Sequence, residues 1–419
     1  MSISRRDFLL ATASLALAGC RGRLETSTTE EDSQRRHMQN QARGNRQPRV
    51  LDYGAPLAKA AAFLASQQSA DGAWRSDLVG TFKDGTALTP LVLLALLHGD
   101  AKNAAIPKAA QWLADMVKPD GAIGAPETHG FDYPVYTSAL TVRALSHANC
   151  PPHPKARDAW LKFLQERQLT EALGWRPEDR EFGGWGYSHG IPHKPRARQL
   201  ILPFTESNLS ATTFALAALT AAKVPADDPA FANALVFVKR CQNWNDDVKD
   251  NTSFDDGGFF FIYDDPVRNK AGGHKDEHGR ERYASYGSIT ADGLRCLQMC
   301  GLATHDRTSV ASAWLHHSFK ADRVPGYYAT APKFDRQSEY FYYAASIAQC
   351  DKQLDVNVPD APMTGREALA EALKAKQKAD GSWANPADAS REHEPLVATS
   401  FACIALAHCQ GELPVLLSD

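Results

Sequence analysis

A heptapeptide that occurs twice constrains this chain more than any other feature. It reads Gln68-Ser69-Ala70-Asp71-Gly72-Ala73-Trp74 near the start and Gln377-Lys378-Ala379-Asp380-Gly381-Ser382-Trp383 near the end. Asp-Gly suits a tight turn whose glycine takes a positive φ. The Trp then supplies a large ring to pack between helices and an indole N–H that seeks an acceptor. Such a turn, copied at both ends of a chain, marks a repeat protein. Weaker copies follow the same form: Lys118-Pro119-Asp120-Gly121-Ala122-Ile123, Phe182-Gly183-Gly184-Trp185-Gly186-Tyr187, Asp256-Gly257-Gly258-Phe259 and Pro325-Gly326-Tyr327-Tyr328. The six turns are spaced by roughly 50–75 residues.

The flanks of each turn are as regular. Before it runs a helix with an apolar stripe: 57–64, 109–116, 159–164, 234–238, 310–319 and 368–376. After it come a polar loop and a helix apolar nearly all round: 86–97, 136–145, 208–219, 286–299, 340–347 and 397–407. A helix apolar all round is buried, and a striped one covers it. The expected fold is therefore all-α: six outer/inner hairpins closed into an (α/α)6 toroid. An open stack of the same hairpins is the alternative.

The rest of the chain divides simply. Ser4-Arg5-Arg6-Asp7-Phe8-Leu9-Leu10 is a twin-arginine pattern before the apolar run 9–18, which is too short to span a bilayer. That run ends at Leu17-Ala18-Gly19-Cys20, as in a bacterial lipoprotein signal. Residues 1–20 read as a leader for export of a folded chain to the cell envelope, with Cys20 as the lipidation site and membrane anchor. Residues 21–49 hold nothing suited to a core and read as a disordered tether. Residues 50–419 read as one toroidal domain, because the repeat register runs through without a linker. The net charge of −3 argues against a nucleic-acid partner. Of the 8 cysteines, lipidation of Cys20 leaves seven, an odd number mostly within apolar helices, so no disulfide framework is expected. Cys296 and Cys300 share a helix face, where packing is a commoner use than metal binding.

At this point the chain resembles the terpene cyclase and protein prenyltransferase superfamily, whose α/α toroids carry Gln–Gly–Trp-type turns. Residues 68–74 and 377–383 carry the likeness best. Gly183-Gly184-Trp185-Gly186-Tyr187 followed by Ser207-Asn208-Leu209-Ser210-Ala211-Thr212 is similar to bacterial squalene-cyclase-like repeats, and so is Asp256-Gly257-Gly258-Phe259 followed by Ser285-Tyr286-Gly287-Ser288. The resemblance implies an isoprenoid or terpenoid ligand in a central cavity. It also exposes departures. Glu206-Ser207-Asn208-Leu209-Ser210-Ala211 has no aspartate where the cyclases place their acid, and Tyr286-Gly287-Ser288-Ile289 has no histidine where the prenyltransferases place a zinc ligand.

In such a repeat every loop into an inner helix gathers at one mouth of the ring. Those loops hold His129, Asp132, His189, His193, Glu206, His274, Asp276, Glu277, His278, Glu339, Glu392, His393 and Glu394, with Arg196 and Arg198. Inner-helix N-termini point the same way and favour an anion. The mouth therefore suits a diphosphate, a divalent metal or a polar headgroup; His274 and His278 are the weak metal candidates. Solvated loops collect such residues anyway. Four carboxylates are candidate catalytic groups. Asp255 and Asp256 are adjacent, although Asp before Gly is ordinary turn chemistry. Glu206 stands where the cyclase acid would. Asp292 lies inside an apolar helix, where burial would raise its pKa and suit it to general-acid work, or where it pairs with Arg295. The candidate ligand-facing residues are Tyr136, Trp185, Asn208, Tyr286, Tyr340 and Tyr342, whose rings would fill the barrel or stabilise a cation. Three functions stay open: binding or transforming an isoprenoid-type ligand, a non-catalytic envelope scaffold whose ring is filled by its own side chains, and a polysaccharide-acting enzyme with paired carboxylates.

Overall fold

The structure, a computed structural model, describes residues 50–124, 131–196, 203–244, 255–263, 265, 268–276, 279, 281–326, 336–350, 354, 363–387 and 390–412. Residues 51–411 form one unit. Its helices alternate between two kinds. The outer ones are α1 (Gly54–Ser66), α3 (Ile106–Asp115), α5 (Pro154–Gln165), α7 (Pro229–Arg240), α9 (Asp306–Ser318) and α11 (Gly365–Lys376). The inner ones are α2 (Leu88–Gly99), α4 (Pro134–Leu145), α6 (Leu209–Ala221), α8 (Gly287–Met299), α10 (Tyr340–Ala348) and α12 (Pro395–Cys409). Composition separates them. In α1 only the stripe Leu57, Ala60, Ala61 and Leu64 is buried, whereas α2 is buried from Leu88 through Leu97. Each inner helix packs on the next, and α12 packs on α2, so the inner ring closes. The open stack is excluded.

The repeated turn is the joint that holds outer and inner rings together. In three repeats the indole N–H donates to the last turn of the preceding outer helix: Trp74 to Leu64, Trp185 to Leu164 and Trp383 to Leu373, at 2.6–3.0 Å. The backbone N–H of the aromatic residue donates to a threonine hydroxyl on the following inner helix, namely Thr89, Thr212, Thr290 or Thr399. A glutamine binds four of the six turns to the next repeat. Gln68, Gln168, Gln242 and Gln377 each donate to the turn glycine carbonyl and to a carbonyl at the start of the next outer helix, those of Ala105, Ala230, Arg307 and Pro56. The last of these joins repeat six to repeat one. The second repeat lacks this set. It carries Lys118 and Ile123 instead, and the Thr137 hydroxyl on α4 is buried with no hydrogen-bond partner among the described residues.

Helix periodicity then layers the axis of the ring. Side chains at i, i+3 or i+4 and i+7 share a face. On α2 that face runs Leu88, Leu91, Leu94, His98; on α4 it runs Tyr136, Leu140, Arg143. On α8 it runs Ile289, Asp292, Arg295; on α10, Tyr342, Ser346, Gln349; and on α12, Val397, Phe401, Ile404, His408. The loop before α8 departs from the helical pattern. It forms an antiparallel ribbon of β1 (Gly273–Lys275) and β2 (Glu281–Tyr283), with Gly273 opposite Tyr283.

Candidate ligand-binding cavity

The first turns of all six inner helices surround one cavity of about 380 Å³. Nine of its eighteen lining residues are aromatic: Phe82, Tyr133, Tyr136, Tyr187, Phe214, Phe261, Tyr286, Tyr342 and Phe401. They form a run of ring contacts around the wall, with Tyr133–Tyr136 centroids 6.3 Å apart, Tyr136–Phe214 4.9 Å, Phe214–Tyr342 6.2 Å and Tyr342–Phe401 5.5 Å. Ala87, Leu88, Ile289 and Val397 complete the apolar surface. Polar side chains on the lining are few. Lys270 pairs with Glu339 and also donates to Ser390, and Glu339 accepts from Ser288 at 2.8 Å. Arg391 is exposed and holds a left-handed φ of 64°, an unusual conformation for a non-glycine residue and one that recurs at functional sites.

One buried carboxylate sets the position of the wall. Both oxygens of Glu392 accept backbone N–H groups in the first turn of α10, from Phe341 at 3.0 Å and Tyr342 at 2.7 Å. Burial outweighs these bonds and pushes its pKa up to about 8. Tyr342 is thereby aimed inward. Its hydroxyl meets Asp292 and lies 2.7 Å from Ser210.

Phe214, Tyr342 and Phe401 also line a smaller chamber of about 20 Å³, so these three rings form a waist between the two spaces. The chamber contains Asp292, Arg295, Arg143, Ser346 and Gln349. Desolvation raises Asp292 to about 6, against the opposing pull of Arg295, Ser346 and Tyr342. At the far end His98 stands 5.3 Å from His147 and 5.1 Å from His408, ring centre to ring centre. Burial, with His408, Arg143 and His147 nearby, lowers His98 to about 3.

The candidate residues separate into groups. Tyr136, Tyr286 and Tyr342 line the cavity, and Asp292 reaches it through Tyr342. Trp185 is fully buried in its turn, Asn208 caps α6 by accepting from Ala211 N–H, and the Tyr340 hydroxyl turns outward to the Ala321 carbonyl. Asp255 pairs with Arg282, and Asp256 accepts from Gly258, Ser285 and Trp314, so both serve the turn and the ribbon. Glu206 sits 3.8 Å from Arg268, on a separate groove of about 200 Å³ with Trp175, Asp179, Glu181 and Lys194. In that groove Asp179 is taken by Lys194, Glu181 by Arg180 and Ser207, and Trp175 is only 5% exposed.

Of the loop residues expected at the mouth, Glu339 lines the cavity. Glu394 accepts from Leu396 N–H and Ser76. His129, Arg198, Glu277 and His278 lie outside the described residues, as does Cys20, while the backbone of His274 lies on β1. No group of three or more His, Cys, Asp or Glu suited to a metal occurs among the described residues. The seven described cysteines are free thiols, and Cys296 packs 3.1 Å from the Thr213 hydroxyl.

Residue-type patterns overlooked Lys270, Arg391 and Arg143. Arg143 carried a usable signal, since a guanidinium within the apolar inner helix α4 requires a buried polar partner.

No protein-family model and no curated protein matches the chain. Solved structures match its fold. A point variant of a type II terpene cyclase from Scytonema, in complex with geranylgeranyl dihydroxybenzoate, superposes with a TM-score of 0.50 at 15% identity, over 86% of this chain and 97% of that one. An α-1,6-mannanase from Salegentibacter superposes with a TM-score of 0.50 at 12% identity, over 85% of this chain and 100% of that one. The fold is the terpene cyclase-like α/α toroid. Because the two neighbours carry different chemistries on it, the likeness establishes architecture alone.

Proposed function

We propose that this chain is an exported, lipid-anchored envelope protein whose ring binds an isoprenoid-type apolar ligand. The observation that carries this reading is the aromatic cavity inside a closed ring. A ring filled by its own side chains would suit a scaffold, but about 380 Å³ falls within the range of ligand pockets. A sugar site would present exposed Trp faces beside free carboxylates. No Trp lines this cavity, and its one lining carboxylate, Glu339, is held by Lys270 and Ser288. The hydrocarbon lies along the aromatic wall and a polar headgroup rests at Arg391 and Lys270. Aromatic faces would also favour a cationic centre in such a ligand. If the ligand is transformed, the acid within reach is Asp292 acting through the Tyr342 hydroxyl; Asp255, Asp256 and Glu206 stand outside the cavity.

Export and anchoring rest on the twin-arginine pattern and Cys20. Among the described residues, no helix is long and apolar enough to cross a membrane. The test is native mass spectrometry with lipid extraction on protein purified from the membrane fraction of its host. A co-purifying polyprenyl or triterpenoid species is expected. Recovery only as a lipid-free protein outside the membrane fraction would overturn both parts of the reading.

A further inference from the structure

Below the aromatic waist the ring holds more positive than negative charge. Arg143 on α4 and Arg295 on α8 both donate to the same neutral atom, Gln349 Oε1, each at 3.0 Å. Arg295 also lies 3.5 Å from Asp292 and 3.4 Å from the Ser346 hydroxyl. For the Arg143 guanidinium, the Gln349 bond is the one acceptor contact seen among the described residues. Each guanidinium offers five N–H donors. Against ten donors and two positive charges, the chamber supplies a single carboxylate, whose oxygens are already engaged by Tyr342 and Ser346. Among the described residues, nothing nearby corrects the balance. Lys270 and Glu339, above the waist, neutralise each other, and His98, below, is neutral at physiological pH. The side chain of Arg295 is 12% exposed, and burial together with Arg295 pulls Arg143 down to about 9, which still leaves it charged at neutral pH.

We propose that this chamber is a binding site for one small monoanionic group, held between Arg143 and Arg295. A volume of about 20 Å³ admits one atom-sized group. The guanidinium edges supply charge-assisted donors, and surplus buried positive charge is costly until it is neutralised. Two sources share this chemistry: a free halide, and one carboxylate oxygen of an apolar acid whose remaining atoms lie in the waist and the aromatic cavity. The site does not depend on the ligand being an isoprenoid.

The test measures the melting temperature of the purified full chain in sodium chloride, sodium bromide and sodium gluconate at one ionic strength. Both halides should raise it relative to gluconate. Gln349→Glu places a fixed carboxylate where the guanidinium groups converge. That variant should melt higher than the parent in gluconate and lose the halide response. Arg143→Met should lose the response too. A second arm compares binding of a C16 carboxylate with a C16 alcohol. A tenfold or greater preference for the acid, abolished by Gln349→Glu, assigns the anion to the ligand's own end. A halide response without that preference assigns it to a free ion. The proposal is overturned if the parent shows neither response nor preference, or if Gln349→Glu responds to halide as the parent does.

Discussion

The joints between repeats make a quantitative demand that two glycines can test. Gly183 holds a φ of +90°, and a Cβ added there would lie 1.9 Å from the Asn233 carbonyl oxygen on α7. Gly121 holds a φ of +83° in the equivalent turn of the second repeat, yet a Cβ there would meet nothing within 4 Å. Alanine at Gly121 therefore carries only the conformational cost of a positive φ, about 1 kcal/mol. Alanine at Gly183 carries the same cost plus an overpacking cost of about 1–3 kcal/mol, because backbone rather than a flexible side-chain tip must move. That movement also stretches the bonds from Gln168 to Gly183 (2.8 Å) and Ala230 (2.9 Å), each worth about 1 kcal/mol. Gly183→Ala should thus lose about 3 kcal/mol or more and Gly121→Ala about 1. Urea unfolding followed by circular dichroism reads the difference as a shift in midpoint at constant slope. Equal midpoints for the two variants would refute the claim that the turn at Gly183 is clamped by the next outer helix.

Two further outcomes follow from buried polar groups. Gln168→Leu should cost about 2 kcal/mol in the same urea assay, since it strands the Gly183 carbonyl and takes a second donor from that of Ala230, whereas Lys118→Leu at the degenerate repeat should stay within about 0.5 kcal/mol. Asp292 binds its proton more tightly when folded, at about 6 against 3.8 unperturbed, so its stabilising contribution is complete below pH 4 and is lost as pH rises through 6. The gap is worth about 3 kcal/mol between pH 4 and 7. Asp292→Asn should reduce that pH slope by this amount and leave the part set by Glu392, which burial raises to about 8; an unchanged slope across the window would remove Asp292 as a source.

Much of the ring was legible because its joints are local. In the first and last repeats Gln, Gly and Trp fall within a few residues of one another, and the Gly–aromatic part carries a backbone demand that survives degeneration, as in Asp256-Gly257-Gly258-Phe259, whose glutamine, Gln242, stands 15 residues ahead of Gly257. The count of hairpins left an open stack as the alternative, and the packing of α12 on α2 decides for closure. The cavity was harder to read. Tyr340 and Tyr342 sit two residues apart at the start of one inner helix, and a helix turns successive side chains by about 100°, so one faces the axis and the other the Ala321 carbonyl. Trp185 and Asn208 mark the junction of turn and inner helix, where aromatic and polar residues serve the joint itself. The paired carboxylates read two ways for the same reason: Asp256 accepts from Gly258 in its own turn, from Ser285 in the loop before α8 and from Trp314 on α9. The pairing of Arg143 with Gln349 was hidden by a separation of 206 positions along the chain.

Because Gln377 donates to the Pro56 carbonyl just as Gln68 donates to that of Ala105, the ring has no first repeat. An open solenoid frays from its ends, where a terminal repeat leaves by breaking one interface. Here any hairpin must break two before it can leave. A version of the ring cut between two other hairpins and rejoined across Leu51 and Gly411 should retain the same joints.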